Sequence, residues 1–241
     1  MNLVFDFGNT YQKMAILLSG EVIDIVNKPK IETQDIDFFL KKYNPQRAIL
    51  SSVVGETAEV TDFLEKKISL LQLSPQTAIP LQNEYKTPET LGNDRLACAV
   101  AAASLFPQKS VLVLQMGTCI TSDFVTASGV YKGGSISPGL TMRLNALHHF
   151  SAKLPLISCK NSDFLTGSTT EESILSGVMH GIEDECNGII ERYSLAYNPL
   201  EIILTGGDAN RFEHKIKNKR SVINNLVLVG LDLILNYNVE K

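Results

Sequence analysis

The chain has 241 residues, of which 44% are hydrophobic and 20% are charged, and its formal net charge is −4 at pH 7. This composition is typical of one large globular domain or two domains of ordinary size. Runs of Lys and Arg never exceed two residues, which argues against a polyanion-binding surface, and no apolar stretch approaches the roughly 20 residues that cross a bilayer.

The termini and the cysteines predict a cytoplasmic protein. Asp6 occupies a position where a signal peptide would carry basic residues before an apolar core. The four cysteines lie far apart without a C-x-x-C pair, which predicts reduced thiols and neither a disulfide framework nor a zinc site. The four histidines show no metal-binding spacing and are predicted to be packing or surface residues.

The first predicted element is a buried strand over residues 3–7, which contains Asp6 and is closed by Gly8, Asn9 and Thr10. A glycine at such a turn lets the backbone N–H groups approach an anion such as phosphate. Asp6, at the strand end, is placed to hold a phosphate-bound metal through water or to orient a reacting group. An ordinary hairpin with a turn-forming Asn is the alternative for this stretch taken alone.

Alternating helices and strands follow this hairpin. Residues 33–43 have helical spacing with Thr33 as a candidate N-cap, residues 47–54 are β-like, and residues 56–67 form an amphipathic pattern. This alternation predicts an α/β domain with a mixed sheet. Ser51 and Ser52, which close the second β-like run, could line a cleft or simply start a turn.

Residues 92–95, Gly-Asn-Asp-Arg, precede an Ala-rich predicted helix over residues 97–105. Asp94 lies where an N-cap is expected, which is its structural interpretation. In the functional interpretation, the Asp94 carboxylate accepts a proton from a hydroxyl nucleophile and the Arg95 guanidinium grips a substrate carboxylate.

The second half repeats the first hairpin. Gln115 and Gly117 lie 109 residues after Asp6 and Gly8, and the Ser-Gly pair at 128–129 repeats the pair at 19–20. This duplication predicts two like domains, 1–109 and 110–241, facing each other across a nucleotide cleft.

Further along, residues 133–140 contain three glycines and a proline, which suits close backbone approach to a ligand or a helix. Helices are predicted over residues 141–150, 171–196 and 224–235. A strand from residue 201 ends in Gly206 and Gly207, where an adenine or ribose could lie against bare backbone, or where a plain turn begins a helix.

Together these motifs resemble the type III pantothenate kinases, which belong to the actin, sugar kinase and Hsp70 superfamily of duplicated ribonuclease H-like domains. The resemblance covers nearly the whole chain. It rests on the order and spacing of five motifs: D-x-G-N-T at residues 6–10, Tyr85 before the G-x-D-R of residues 92–95, G-T-C-x-T at residues 117–121, G-G-x-I-x-P-G-L at residues 133–140, and T-G-G at residues 205–207.

The resemblance implies an enzyme that uses ATP and Mg²⁺ to phosphorylate pantothenate to 4′-phosphopantothenate, the first step of coenzyme A biosynthesis. It implies a homodimer with the pantothenate pocket at the subunit junction and a monovalent cation, K⁺ or NH₄⁺, that assists ATP. The implied ATP contacts are Asp6, Phe7, Gly8, Asn9, Thr10, Tyr11, Gln12, Lys13 and Thr118. The implied pantothenate contacts are Tyr85, Gly92, Asn93, Asp94, Arg95 and Thr170, with Asp94 as general base.

One residue departs from the family pattern. Gln115 stands where the family has an acid that binds the monovalent cation, and a neutral amide oxygen supplies no charge. We therefore expect weaker cation dependence or slower turnover. Two alternatives remain: a catalytically impaired or regulatory nucleotide-binding homologue, and a different phosphotransferase of the superfamily, such as a sugar or acetate kinase.

Overall fold

The computed structural model of the chain describes residues 1–55, 57–159 and 164–239, which form mixed α/β structure in two compact units. The first unit contains residues 1–105, residues 129–131 and the C-terminal segment from residue 225. The second contains residues 106–128 and the segment from residue 132 to 224.

The first unit is built on a five-stranded sheet in the order β3-β2-β1-β4-β5. Its strands are β1 (Asn2–Phe7), β2 (Gln12–Leu18), β3 (Glu21–Lys28), β4 (Arg47–Ser52) and β5 (Ser69–Gln72). The first three strands are antiparallel neighbours, whereas β4 pairs in parallel with both β1 and β5. A short strand, β6 (Gln82–Asn83), pairs with Val130 and Tyr131 of the same unit.

Helices cover both faces of this sheet. On one face, Leu3, Phe5 and Phe7 pack against α1 (Thr33–Tyr43) and α2 (Ala58–Glu65). The other face carries α7 (Leu226–Val239), which packs against β1 and against α3 (Asn93–Leu105). Because the side chains of a strand alternate between faces, Asn2 and Asp6 lie on the side of α7.

The second unit repeats this strand order as β9-β8-β7-β10-β11. The strands are β7 (Ser110–Met116), β8 (Cys119–Val125), β9 (Val130–Pro138), β10 (Leu200–Thr205) and β11 (Ser221–Val222). The first two residues of β9, Val130 and Tyr131, group with the first unit. Its helices are α4 (Leu140–His149), α5 (Thr170–Ala196) and the short α6 (Ala209–Phe212), and α4 and α5 bury the second core with Leu112, Leu114 and Met116. The predicted duplication is therefore present in the strand topology.

Register refines the duplication. Asp6 pairs with Lys13 across the first hairpin, and Gln115 pairs with Thr121 across the second. The separation is 115 − 6 = 109 on the leading strands but 121 − 13 = 108 on the returning strands. The loop between the first two strands is one residue shorter in the second hairpin than in the first. Residues after that loop therefore correspond at a spacing of 108, and not 109.

Several predicted boundaries change. The N-cap of α1 is Glu32, not Thr33, and its carboxylate forms a capping box with Asp35. The helix α3 begins at Asn93, so Asp94 lies inside its first turn and is not its N-cap. Glu56, the predicted start of the second helix, lies outside the described residues.

The C-terminal helix also departs from the predicted division at residue 110, because it groups with the first unit. The Asn2 amide donates hydrogen bonds to Asp232 (2.7 Å) and to the Asn236 side chain (2.8 Å), both on α7. Gly230 faces α3 so closely that a Cβ there would lie 1.9 Å from the Ala97 carbonyl oxygen. Backbone contact of this kind requires a glycine.

We expect Gly230→Ala to lower the free energy of unfolding by about 1–3 kcal/mol, because the added methyl group meets the rigid backbone of α3. Gly188→Ala is the matched control: Gly188 is also helical, but a Cβ there meets nothing within 4 Å, so the change should stabilise by roughly 0.5–1 kcal/mol. Urea denaturation followed by circular dichroism measures both. Equal effects of the two changes would contradict this close packing of α7 on α3.

Candidate active site

Two carboxylates of the first unit, Asp6 and Asp94, interact electrostatically. The pKa of Asp6 is raised to about 6, first by burial and second by the charge of Asp94, while the Lys13 ammonium opposes this rise. Lys13 is the cross-strand partner of Asp6, so their side chains lie on the same face of the sheet. Most Asp6 side chains are therefore ionised at pH 7, close to a second acid and one cation.

The predicted phosphate-binding stretch is split between the two faces of the sheet. Phe7 is buried in the core against α1 and α2, and the Gln12 carboxamide oxygen accepts a hydrogen bond from the Ile31 N–H at 2.7 Å. Asp6 and Lys13 lie on the opposite face. Between them, the turn at residues 8–11 is closed by a hydrogen bond from the Gly8 N–H to the Tyr11 carbonyl oxygen at 3.0 Å.

The first turn of α3 carries Asp94, the predicted general base, and Arg95, which is predicted to bind a substrate carboxylate. The Asp94 carboxylate folds back over Gly92, where a Cβ would lie 2.7 Å from its Oδ1 atom. The Asn93 side-chain amide donates to the Leu73 carbonyl oxygen at 3.4 Å. Arg95 is 5% exposed, and its guanidinium carbon lies 5.8 Å from the centre of the Tyr85 ring. The structure therefore brings Tyr85 to Arg95, and Asp94 to Asp6.

Two further residues border Asp6 and Lys13. Ser51 pairs in register with Asp6 on β4, its side chain is 1% exposed, and its hydroxyl has no hydrogen-bond partner among the described residues. Asn225, in a left-handed conformation (φ 57°) before α7, accepts a hydrogen bond from the Lys13 ammonium at 3.3 Å. Sequence reasoning considered Ser51 and missed Asn225, which lies inside the helix predicted over residues 224–235, whereas the observed helix begins at Leu226.

The motif glycines of the second unit meet at the end of β7. The Gly139 N–H donates to the Thr118 carbonyl oxygen at 3.0 Å, and a Cβ on Gly139 would lie 2.1 Å from the Gly117 carbonyl oxygen. A Cβ on Gly206 would lie 2.3 Å from the Met116 carbonyl oxygen. The close approach predicted for residues 133–140 is thus made at Gly139 to the turn after β7, and at Gly134 to β8, where a Cβ would lie 1.7 Å from the Ser122 carbonyl oxygen.

The remaining predicted site residues also lie in the second unit. Gln115 occupies β7, and Thr118 follows it in the turn. Thr170 is the exposed first residue of α5, directly after the Thr169 cap. The Ser168 hydroxyl and backbone N–H groups bond to the Glu172 carboxylate and lower the pKa of Glu172, which fixes this helix start.

The donor set of the site fits a nucleotide-bound magnesium ion. In the part of the chain that the structure describes, no three His, Cys, Asp or Glu side chains cluster as a complete metal cage. Mg²⁺ commonly uses one or two carboxylates together with substrate phosphates and waters, so Asp6 with Asp94 nearby is sufficient.

Comparison with known sequences gives a consistent assignment. The sequence model of the type III pantothenate kinase family matches residues 2–192. The chain belongs to the type III pantothenate kinase family. A type III pantothenate kinase from Christiangramia forsetii is 43% identical over 240 residues, covering 99% of each chain. One from Cytophaga hutchinsonii is 42% identical over 241 residues, covering 99% of this chain and all of the relative.

Solved structures show the fold that this type III pantothenate kinase family member shares. A conserved Campylobacter jejuni protein assigned to the Baf family of transcriptional activators has a TM-score of 0.61 at 20% identity, over 99% of this chain and 100% of that one. A glucokinase from an Antarctic psychrotroph has a TM-score of 0.52 at 12% identity, over 98% of both chains. The predicted fold class, an α/β fold of the actin-like ATPases and sugar kinases, is confirmed.

The four cysteines all lie among the described residues and form no disulfide bond; Cys98 and Cys186 are buried, and Cys119 and Cys159 are half-buried. Within the described ranges, the helices are too short or too polar to cross a membrane.

We expect Asp6→Asn to stabilise the protein at neutral pH. Because the pKa of Asp6 rises from 3.8 to about 6 on folding, its favourable contribution is complete below pH 4 and is lost as the pH rises through 6. The variant should therefore exceed the wild type by up to about 3 kcal/mol at pH 7.5, since one pKa unit is about 1.4 kcal/mol, and should match it near pH 4. Urea denaturation at both pH values measures this difference.

The control for this prediction is Asp62→Asn, which changes an exposed carboxylate of α2 in the same unit. Its unfolding curve should follow the wild type at both pH values. A destabilised Asp6→Asn variant at pH 7.5 would mean that Asp6 makes a net favourable interaction in the ligand-free protein.

Proposed function

We propose that this protein transfers the γ-phosphate of ATP to the primary alcohol of pantothenate in the cytoplasm. The product, 4′-phosphopantothenate, makes this the first step of coenzyme A biosynthesis. Membership of the type III pantothenate kinase family supports the reaction. The observation that carries it is the placement of Asp94 on the first turn of α3, within electrostatic reach of Asp6 and next in sequence to the buried Arg95.

In this proposal, Asp94 is the general base. The pantothenate hydroxyl oxygen forms a bond to the γ-phosphorus, the bond between that phosphorus and the bridging oxygen breaks, and ADP leaves. The hydroxyl proton passes to the Asp94 carboxylate late in the reaction, because the transition state of phosphoryl transfer is loose. A base on a helix's first turn is fixed by the backbone and requires little reorganisation.

Arg95 and Tyr85 form the proposed pantothenate-binding wall. Arg95 can bind the pantothenate carboxylate through two parallel N–H groups, and its burial makes that interaction stronger than at a solvated surface. The Tyr85 ring, 5.8 Å from the guanidinium carbon, limits where Arg95 can move. The other proposed pantothenate contacts are Gly92 and Asn93, at the start of α3, and Thr170, the first residue of α5.

The ATP phosphates are assigned to Asp6, the turn over residues 8–11, Lys13 and Thr118. Mg²⁺, when bound with ATP, neutralises charge that develops on the phosphates. Asp6 can hold that ion through water, and Lys13 supplies a positive charge next to it. The Asn225 side chain orients the Lys13 ammonium through their hydrogen bond.

We also propose that the protein acts as a homodimer through α4 and its flanking segments. Phe150 is 85% exposed at the end of α4, and Met142 and Leu147 are exposed on the helix itself. Ile136, Leu156 and Leu165, in the same unit, are also exposed. Exposed apolar patches are typical of protein interaction sites, and Met142, Leu147 and Phe150 lie within nine consecutive positions of the chain.

Asp94→Asn should lower kcat for pantothenate by about 10²–10⁴-fold, because the amide cannot accept the proton. ADP release, coupled to NADH oxidation, measures turnover on pantothenate and on a panel of sugars, other alcohols and carboxylic acids. The control is Glu89→Gln, which makes the same kind of change at an exposed residue just before this turn. Unchanged turnover of folded Asp94→Asn would remove it as the base, and preference for another acceptor would overturn the proposed substrate.

Gln115 should make the enzyme only weakly dependent on K⁺, because its amide oxygen carries no charge. We expect ADP release to change less than about threefold between zero and 100 mM KCl at constant ionic strength, because one ligand charge is missing. Gln115→Asp should introduce a clear K⁺ activation. A steep wild-type activation with millimolar half-saturation, abolished in Gln115→Ala, would contradict the prediction.

Phe150→Glu should dissociate the proposed dimer, because it places a charge in the apolar contact. Sedimentation equilibrium should give twice the 26.5 kDa chain mass for the wild type and the chain mass for the variant. The control is Phe38→Glu, at another exposed phenylalanine in the first unit. A monomeric wild type, or a Phe150→Glu variant that remains dimeric, would exclude this interface.

A further inference from the structure

Tyr131 is a fully buried aromatic residue in contact with the proposed pantothenate wall. It is the second residue of β9 and belongs to the first unit, as do Tyr85 and Arg95. Its ring stacks on the Tyr85 ring with 6.2 Å between centroids and 29° between planes. The Tyr85 ring in turn lies 5.8 Å from the Arg95 guanidinium carbon. Tyr131, Tyr85 and Arg95 therefore form one series of contacts.

The backbone around Tyr131 also fixes the segment that carries Tyr85. Gln82 and Asn83 pair with Val130 and Tyr131, and the Glu84 N–H donates to the Tyr131 carbonyl oxygen at 3.1 Å. The Tyr85 N–H then bonds to the Asn83 side-chain oxygen at 2.9 Å. Tyr85 itself lies outside helices and strands, between β6 and a 3₁₀ turn at Pro88–Thr90. Its ring position therefore depends on its neighbours more than on its own backbone.

We propose that Tyr131 is a positioning residue for pantothenate binding, which acts by holding the Tyr85 ring against Arg95 before the substrate arrives. This inference rests on the proposed function. A buried ring at position 131 removes rotamer freedom from Tyr85, and a wall that is already ordered avoids the entropy cost of ordering it on binding. Arg95 then presents its N–H groups in a fixed direction.

The role predicts a specific kinetic pattern. Tyr131 acts on the wall through its stack on Tyr85, so it should affect pantothenate binding and leave phosphoryl transfer unchanged. We expect Tyr131→Leu to raise KM for pantothenate about 5- to 20-fold, with kcat and KM for ATP within about twofold of the wild type. Tyr131→Phe, which keeps the ring, should retain a KM near that of the wild type.

A matched control separates positioning from general core packing. Phe39 is a buried aromatic residue of α1 in the same unit, and its ring packs on Tyr43. Phe39→Leu removes a similar aromatic contact and should lower the thermal midpoint about as much as Tyr131→Leu. Because Phe39 lies in the core on the other face of the sheet from Asp6, the Phe39→Leu variant should keep the wild-type KM for pantothenate.

A double-mutant cycle tests whether Tyr131 acts through Tyr85. If it does, Tyr85→Leu combined with Tyr131→Leu should raise KM no more than Tyr85→Leu alone. Multiplied effects would show independent roles and overturn the inference. An unchanged KM in Tyr131→Leu, or equal losses in Tyr131→Leu and Phe39→Leu, would also overturn it.

Hydrogen–deuterium exchange keeps the test independent of the substrate assignment. In the ligand-free protein, Tyr131→Leu should speed amide exchange in a peptide spanning residues 82–87, whereas Phe39→Leu should not. If the wild type fails to phosphorylate pantothenate but this exchange pattern holds, the proposed function is wrong and the positioning of Tyr85 stands. If Tyr131→Leu does not fold, Tyr131→Met, which fills more of the space, provides the same comparison. Unaltered exchange in a folded variant would overturn the positioning role.

Discussion

The buried carboxylate of Asp6, near the like charge of Asp94, is the interaction on which the site depends. In water, two such carboxylates would both ionise and would interact only weakly. Burial makes the ionised form of Asp6 and its proximity to the Asp94 charge unfavourable, and the Lys13 ammonium opposes this effect. Two sets of packing contacts hold Asp6 and Asp94 in place. The side chains of Leu3, Phe5 and Phe7 anchor β1 in one core, and the contacts of α3 with α7 hold the helix turn that carries Asp94. A site that concentrates negative charge in this way is suited to bind a cation together with a phosphate.

Backbone contact takes the place of side-chain packing at several motifs. In the second unit, Gly139 and Gly206 both approach the turn region at the end of β7, and in the first unit Gly230 approaches α3. Each contact leaves no room for a methyl group, so each of these positions requires a residue without a Cβ atom. The consequence for the site is that its turns are positioned by main-chain atoms, which have few alternative conformations. Side chains such as Lys13 and Arg95 are then oriented by the few residues that they contact in space.

Local signals predicted most of the fold. Apolar runs and turn residues located the main strands, and the repeated hairpin indicated two sheets of like topology because its turn residues recur at fixed spacing. Alternation along β1 and β2 also implies that Phe7 and Gln12 face away from Asp6 and Lys13, so the side chains of this stretch are not all presented on one face. Contacts between distant segments could not be predicted: the bonds of Asn2 to α7, the bond between Lys13 and Asn225, and the stack of Tyr131 on Tyr85 join residues 46 to 234 positions apart. No periodicity within one segment encodes such pairs.

The membership of α7 in the first unit has a consequence for how the protein is made. During translation, the five strands of the first sheet emerge from the ribosome long before Leu226, so the face that α7 covers stays exposed while more than 100 further residues are synthesised. The second unit's described core, by contrast, is complete in sequence before α7 appears. A nascent chain would thus finish its later-encoded unit first, and chaperones that recognise apolar surface would find their target on the earlier one.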